Sequence, residues 1–111
     1  MTHLKILENK THNNLMIALY KNANDDKYYF YFKTKEGKAV LVSQSYTTKA
    51  SAENGIESII ENAGIKDHYD VRTSPDGRHY FNLKAANGQV VGTSLAYESE
   101  KELKKVLGFF R

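Results

Sequence analysis

The chain has 111 residues and a mass of 12.6 kDa, enough for one compact domain and too little for a large two-domain enzyme. Hydrophobic residues make up 41% and charged residues 26%, so wholesale disorder is not expected, and the lack of cysteine excludes a disulfide framework. The net charge of +3 is spread evenly: residues 1–64 carry 8 basic and 7 acidic groups and residues 65–111 carry 8 and 6, so the basic balance marks no nucleic-acid-binding block.

No run approaches the roughly 18 apolar residues of a membrane-crossing helix. Met1 to Glu8 lack the apolar stretch and small-residue cleavage site of a secretory signal, so a cytoplasmic location is expected. Residues 1–14 read as an N-terminal extension, with a short strand at Leu4 to Leu7 followed by polar Asn9 to Asn14. It is expected either to pair on a sheet edge or to be disordered.

From residue 15 onward the chain repeats itself. A shift of 51 positions lays Tyr28–Ile60 on His79–Arg111 without a gap, matching Tyr29 with Tyr80, Phe30 with Phe81, Lys33 with Lys84, Gly37 with Gly88 and Tyr46 with Tyr97. Upstream, one extra residue in the first copy pairs Ile17 with Tyr69 and Leu19 with Val71.

In the first copy, Leu15, Ile17 and Leu19 alternate with Met16, Ala18 and Tyr20, which predicts a strand. A polar turn at 22–26 leads to the aromatic strand Tyr28–Phe32, and Glu36-Gly37 turns the chain into Ala39–Val42. Ala52, Ile56, Ile59, Ile60 and Ala63 recur at helical spacing, with Thr48 as N-cap and Gly64 beyond the C-terminus. Gly55 falls on the buried side of that helix, where glycine costs about 1 kcal/mol relative to alanine, so close approach to the sheet or a partner helix is expected.

The second copy repeats the order with strands at Tyr69–Arg72, Tyr80–Lys84 and Val90–Ser94. Asn87-Gly88 predicts a two-residue type I′ hairpin turn, with both residues at positive φ. Ser99 and Glu102 form a capping box, and Leu103, Val106, Leu107 and Phe110 make one helical stripe. The expected fold is α+β: two tandem β-β-β-α repeats, 15–64 and 65–111, forming in one compact domain an antiparallel sheet packed on one face by two helices, with internal pseudo-two-fold symmetry. Phe30, Phe32, Ile56, Ile59, Phe81, Leu83, Leu103 and Leu107 are its expected core.

Tyr80 to Ser94, with Asn87 and Gly88 at its turn, together with Ala50 to Ile59, which contains Asn54-Gly55-Ile56, resemble the YegP-like family of small bacterial proteins over residues 15–111. The resemblance implies tandem units of about fifty residues in an α+β fold and brings no catalytic residue with it. The second copy departs from the family pattern, with Ser99 to Val106 in place of the Asn-Gly-Ile segment.

The residues offer little chemistry. His3, His12, His68 and His79 have no paired metal-ligand spacing, there is no nucleophile elbow or phosphate loop, and Asp25-Asp26 falls in a turn, so neither a metal, a cofactor nor a catalytic group is expected. Ser43 and Ser94 recur with no histidine tied to either, and are expected to end strands or to bond to backbone. Period-two alternation does place Tyr29, Tyr31 and Lys33, and Tyr80 and Lys84, on the side of the sheet away from the helices. These five residues are the candidate binding face. The expectation is a non-enzymatic interaction or assembly module acting through its sheet face or edges, on a protein partner or a second copy. Single-stranded nucleic acid is the alternative, with tyrosine stacking on bases and lysine meeting phosphate. An enzyme of unknown class is a weaker one.

Overall fold

The computed structural model describes residues 6–12 and 14–110. Strands β1 (Ile6–His12), β2 (Leu15–Lys21), β3 (Tyr28–Lys33) and β4 (Ala39–Ser43) precede helix α1 (Lys49–Asn62). A short 3-10 turn (Lys66–His68), β5 (Tyr69–Thr73), β6 (His79–Lys84), β7 (Val90–Ser94) and α2 (Glu100–Phe110) follow. Among the described residues the strands form one antiparallel seven-stranded sheet in the order β1-β2-β3-β4-β7-β6-β5. The N-terminal extension, left open above as edge strand or disorder, supplies edge strand β1, which does not end at Leu7 but runs on through polar residues 9–12 because these pair by backbone with β2; Leu4 and Lys5 of the expected strand lie outside the described residues.

Residues directly opposite each other on antiparallel strands point to the same face, so the register sorts the side chains. Leu19 faces Phe30, Ile17 faces Phe32 and Phe32 faces Leu41; these side chains are buried beneath the helices. Ala52, Ile56 and Ile59 of α1 and Leu103, Val106 and Phe110 of α2 close the same core, with the Phe110 ring 5.5 Å from Phe32 and 6.0 Å from Phe81. Leu107, expected in that core, is only partly buried. It sits on the flank of α2, in a groove with Val71 and Lys104, because the helix is centred over β6 and leaves the outer edge of the sheet partly uncovered.

Several local features occur at both places that the shift of 51 relates. The register slips between Phe32 and Lys33 against β4, and between Leu83 and Lys84 against β7. Each slip is a bulge that turns two successive residues, Val40 with Leu41 and Val91 with Gly92, toward the core side. Ser43 Oγ accepts from Phe30 N–H and donates to Gln44 C=O, and Ser94 Oγ accepts from Phe81 N–H and donates to Leu95 C=O. Beyond these serines the chain returns to pair Tyr46 with Tyr28, and Tyr97 with His79.

The turns differ from expectation. Asn87-Gly88 is not a type I′ turn: Gly88 alone is left-handed (φ 84°), while Gly88 N–H donates to Ala85 C=O and Ala85 N–H to Gln89 C=O. This is a longer turn ending in a glycine bulge. Asn87 serves it with a side-chain bond from Gln89 N–H (2.9 Å). The same pattern recurs at Gly37 and Gly77, both at φ 87°. The β2–β3 turn is one residue longer, closed by Asn22 N–H to Lys27 C=O with Asp26 at φ 62°.

Helix α1 is capped by Thr48, whose hydroxyl accepts from Ser51 N–H (3.1 Å). Gly64 follows the C-cap Ala63 but is not left-handed; the chain passes instead into the 3-10 turn. Gly55 lies close to the sheet, as expected, through the Phe30 side chain of β3, and closer still to Tyr46, with no atom of a partner helix among the three nearest. A Cβ there would fall 2.7 Å from Tyr46 Cζ and 3.1 Å from Phe30 Cε2, and closer still to the Tyr46 hydroxyl. The bare helix surface seats the Tyr46 ring, which stacks on Phe30 at 5.9 Å.

Two consequences are measurable by urea unfolding. Ile59→Ala, at a fully buried site, is expected to cost roughly 2 to 5 kcal/mol. Gly55→Ala is expected to destabilise the native chain and to cost less in a Tyr46→Ala background, where only the tight contact with Phe30 at 3.1 Å is left to offset the helix-propensity gain of alanine, about 1 kcal/mol.

Candidate functional site

The face of the sheet away from the helices carries the second set of alternating side chains. One row crosses all seven strands: Asn9, Ala18, Tyr31, Val42, Thr93, Asn82 and Asp70 lie directly opposite one another in turn. Tyr29 faces Tyr20 and Lys33 faces Met16 on the same side. The structure therefore brings Tyr29, Tyr31 and Lys33 together and adds Tyr20, which the sequence reading did not single out although its parity in Leu15–Tyr20 was the available signal. The Tyr20 and Tyr29 rings stack at 5.8 Å and 18°, Tyr31 lies tilted against Tyr20 at 5.9 Å, and Lys33 Nζ stands 5.9 Å from the centre of the Tyr31 ring. All three tyrosines are partly exposed.

Tyr80 and Lys84 are on the same face but in the other half of the sheet. Asn82, between them on β6, is three strand spacings, or about 14 Å, from Tyr31. Tyr80 faces Arg72, and Lys84 Nζ lies 3.7 Å from the Asp70 carboxylate. The two halves thus differ in character: β2 and β3 present stacked rings, whereas β5 and β6 present a charged cluster of Asp70, Arg72 and Lys84 beside one tyrosine. Asn54, Gly55 and Ile56 are on α1, on the opposite side of the sheet; Gly55 and Ile56 are buried and Asn54 is exposed. Asn87 and Gly88 form the β6–β7 turn and belong to neither half of the face.

Electrostatics fix the rims. The Tyr29 hydroxyl donates to the Asp25 carboxylate, which also accepts from Lys27 N–H at 3.0 Å. The tyrosine bond, foremost, holds the Asp25 carboxyl below its usual range and raises the Tyr29 hydroxyl. Burial is the main reason that the Tyr20 hydroxyl is raised, with Tyr31 and Asp25 adding to it. At the other end, the Arg72 guanidinium, 2.7 Å away, is the main cause of a lowered Asp70 carboxyl, with Lys84 contributing. Among the described residues no three His, Asp or Glu side chains converge on a point where a metal ion could sit. His68 Nδ1 lies 2.5 Å from Asn62 Oδ1, His12 is on edge strand β1, His79 pairs through its backbone with Tyr97, and His3 lies outside the described residues.

No helix among the described residues is long and apolar enough to cross a membrane. Residues 23–70 and 74–105 match a domain of unknown function (DUF1508). A UPF0339 protein of Photorhabdus laumondii is 40% identical over 85 residues, which is 77% of this chain and 75% of that protein. The UPF0339 protein YegP of Escherichia coli K12 is 41% identical over 75 residues, covering 68% of each chain. The solution structure of E. coli YegP, itself a protein of unknown function, superposes with a TM-score of 0.77 at 35% identity, over 83% of this chain and 78% of that one. A UPF0339 protein structure from Shewanella oneidensis gives 0.77 at 38% identity, over 82% and 76%.

The Asp70 cluster provides a titration test. Followed by NMR of its carboxyl carbon, Asp70 is expected to titrate below the usual value of 3.8, and Arg72→Ala to raise its midpoint further than Lys84→Ala does. Because the folded value is depressed, the stability from this pairing is present above the usual carboxylate range and is lost as pH falls through the depressed value.

Proposed function

The chain belongs to the DUF1508 family of unknown function, which includes the YegP proteins, and on that premise we propose that it is a non-enzymatic interaction module whose working surface is the uncovered face of its sheet. The observation that carries this reading is the cluster of Tyr20, Tyr29 and Tyr31, partly exposed on the side opposite both helices. Tyrosine combines large apolar area with a polar tip and few rotatable bonds, the qualities that enrich it at protein interfaces. The rings stand side by side, braced by one another and by Asp25, and so present a preorganised surface that loses little freedom on binding.

A protein partner fits this face better than nucleic acid does. Arg72 and Lys84 are engaged by Asp70, and Asp25 sets a carboxylate beside the rings. The observation that keeps single-stranded nucleic acid as the second reading is Lys33 above the Tyr31 ring, where a stacked base and its phosphate would meet both groups.

We read the domain as two copies of one unit, 15–64 and 65–111, with β1 (Ile6–His12) of the 1–14 extension added at the edge. The recurrence of bulge, serine bond and returning tyrosine at a spacing of 51 supports this, as does a register that sets Ile17 opposite Phe32 and Tyr69 opposite Leu83.

Capture from native cell extract, with the chain immobilised and the extract split between nuclease-treated and untreated halves, tests the proposal. Specific partners are expected to survive nuclease, and Tyr31→Ala to weaken their binding by roughly 1 to 3 kcal/mol without changing the fold. Partners retained equally by Tyr31→Ala and Tyr20→Ala would show the face to be idle. For the nucleic-acid reading the probe is a labelled oligothymidine: Lys33→Ala should lower the salt slope by about one unit if it meets a phosphate.

A further inference from the structure

The outer edge of β5 stands apart from the tyrosine cluster. Among the described residues no strand pairs with it on that side. Ser74 N–H donates to Arg78 C=O to close the β5–β6 hairpin, and bonding alternates from residue to residue in an antiparallel pair. Arg72 and Asp70 therefore spend their backbone groups on β6, while Val71 turns its N–H and C=O outward. The opposite edge, β1, is interrupted by a bulge between Ile6 and Glu8, a common device against edge pairing. Strand β5 has an unbroken register and no proline within it.

The side chains of β5 also suit a particular occupant. Val71 is 56% exposed although it lies on the helix side, in a groove with Leu107 and Gly108 of α2. On the other side Asp70 and Arg72 flank it with opposite charges. An antiparallel pairing of β5 with itself about Val71 would set Val71 against the second copy's Val71, and Asp70 against the second copy's Arg72. The charges complement each other twice, and two exposed valines cover one another beside Leu107.

We propose that β5 is a homodimerisation edge, pairing antiparallel with β5 of a second copy about Val71 and extending the sheet across a two-fold axis. Val71 exchanges two backbone hydrogen bonds with its counterpart, and the Asp70 and Arg72 pairs fix the register. Lys66 and Lys104 also line the groove, so two copies bring four cations together there and hold the affinity down.

Sedimentation equilibrium of the purified chain from micromolar to millimolar concentration tests this, with folding of each variant checked by NMR. The mass is expected to rise from 12.6 kDa toward twice that value. Val71→Pro removes only an outward N–H, which an edge strand tolerates, and is expected to weaken association at least tenfold. Arg72→Asp should weaken it as well, and the exchange Asp70→Arg with Arg72→Asp should restore it. Lys104→Glu should tighten it severalfold by relieving the crowded cations. A chain that stays monomeric at millimolar concentration overturns the proposal. So does a dimer indifferent to Val71→Pro, an exchange that fails to restore association, or weakening by Lys104→Glu. A dimer lost in Tyr31→Ala but not in Val71→Pro would place self-association on the tyrosine face and equally overturn it.

Discussion

Strands β4 and β7 join the two halves of the sheet through three facing pairs, Leu41 with Ser94, Val42 with Thr93 and Ser43 with Gly92. What makes this join close is a side chain that is absent. A Cβ on Gly92 would fall 2.9 Å from Leu41 Cδ2 and 3.1 Å from Ile59 Cδ1, so Leu41 lies across the glycine and Ile59 of α1 seats against both. Position 92 is the one that the shift of 51 assigns to Leu41, and two leucines there would occupy the same space beneath α1. One large and one vanishing residue fill the site at interior density. Through this contact α1 is set over the centre of the sheet, and the open face beneath Val42 and Thr93 is continuous from β1 to β5.

Beyond the join, both halves must let a strand leave its neighbour without stranding a backbone donor. Ser43 and Ser94 solve this with one hydroxyl each, replacing the ladder carbonyl that Phe30 and Phe81 N–H would otherwise lack. The halves then diverge. Tyr46 folds onto the bare surface of Gly55, whereas the second helix has Val106 at the matching position and Tyr97 instead lines an open cleft with Glu102 and Phe109. The same backbone device thus supports a filled site on one side and an open one on the other. The sheet face diverges in parallel, with stacked rings on one half and an ion cluster on the other.

Element order from β2 onward and most of the helix faces were legible because each rests on a local period of two or 3.6 residues, and because the likeness to the YegP family fell on long strings such as Tyr80 to Ser94; β1 was legible only in part, since its polar half, residues 9–12, carries no such period. The composition of the tyrosine face was partly legible for the same reason. Its grouping was not: whether Tyr31 meets Tyr20 or Tyr80 depends on strand order, which alternation within a strand does not encode. Leu107 was misplaced because a helical stripe shows which residues face the sheet but not how far the sheet extends below them. Asn87-Gly88 misled because the same dipeptide serves both a two-residue turn and the last two positions of a longer glycine-bulge turn. Gly55 signalled a close approach, but the approaching group is a tyrosine nine residues earlier, brought back by the Tyr28–Tyr46 bridge.

The β4–β7 join also has a kinetic consequence. Every other strand pairing in the sheet links consecutive strands, closed by short turns and able to form within microseconds. Leu41 and Ser94 are 53 positions apart, so their meeting closes the longest loop of any strand pairing in the sheet. The outer hairpins rest on local pairings, whereas the seam beneath Ile59 carries this non-local one.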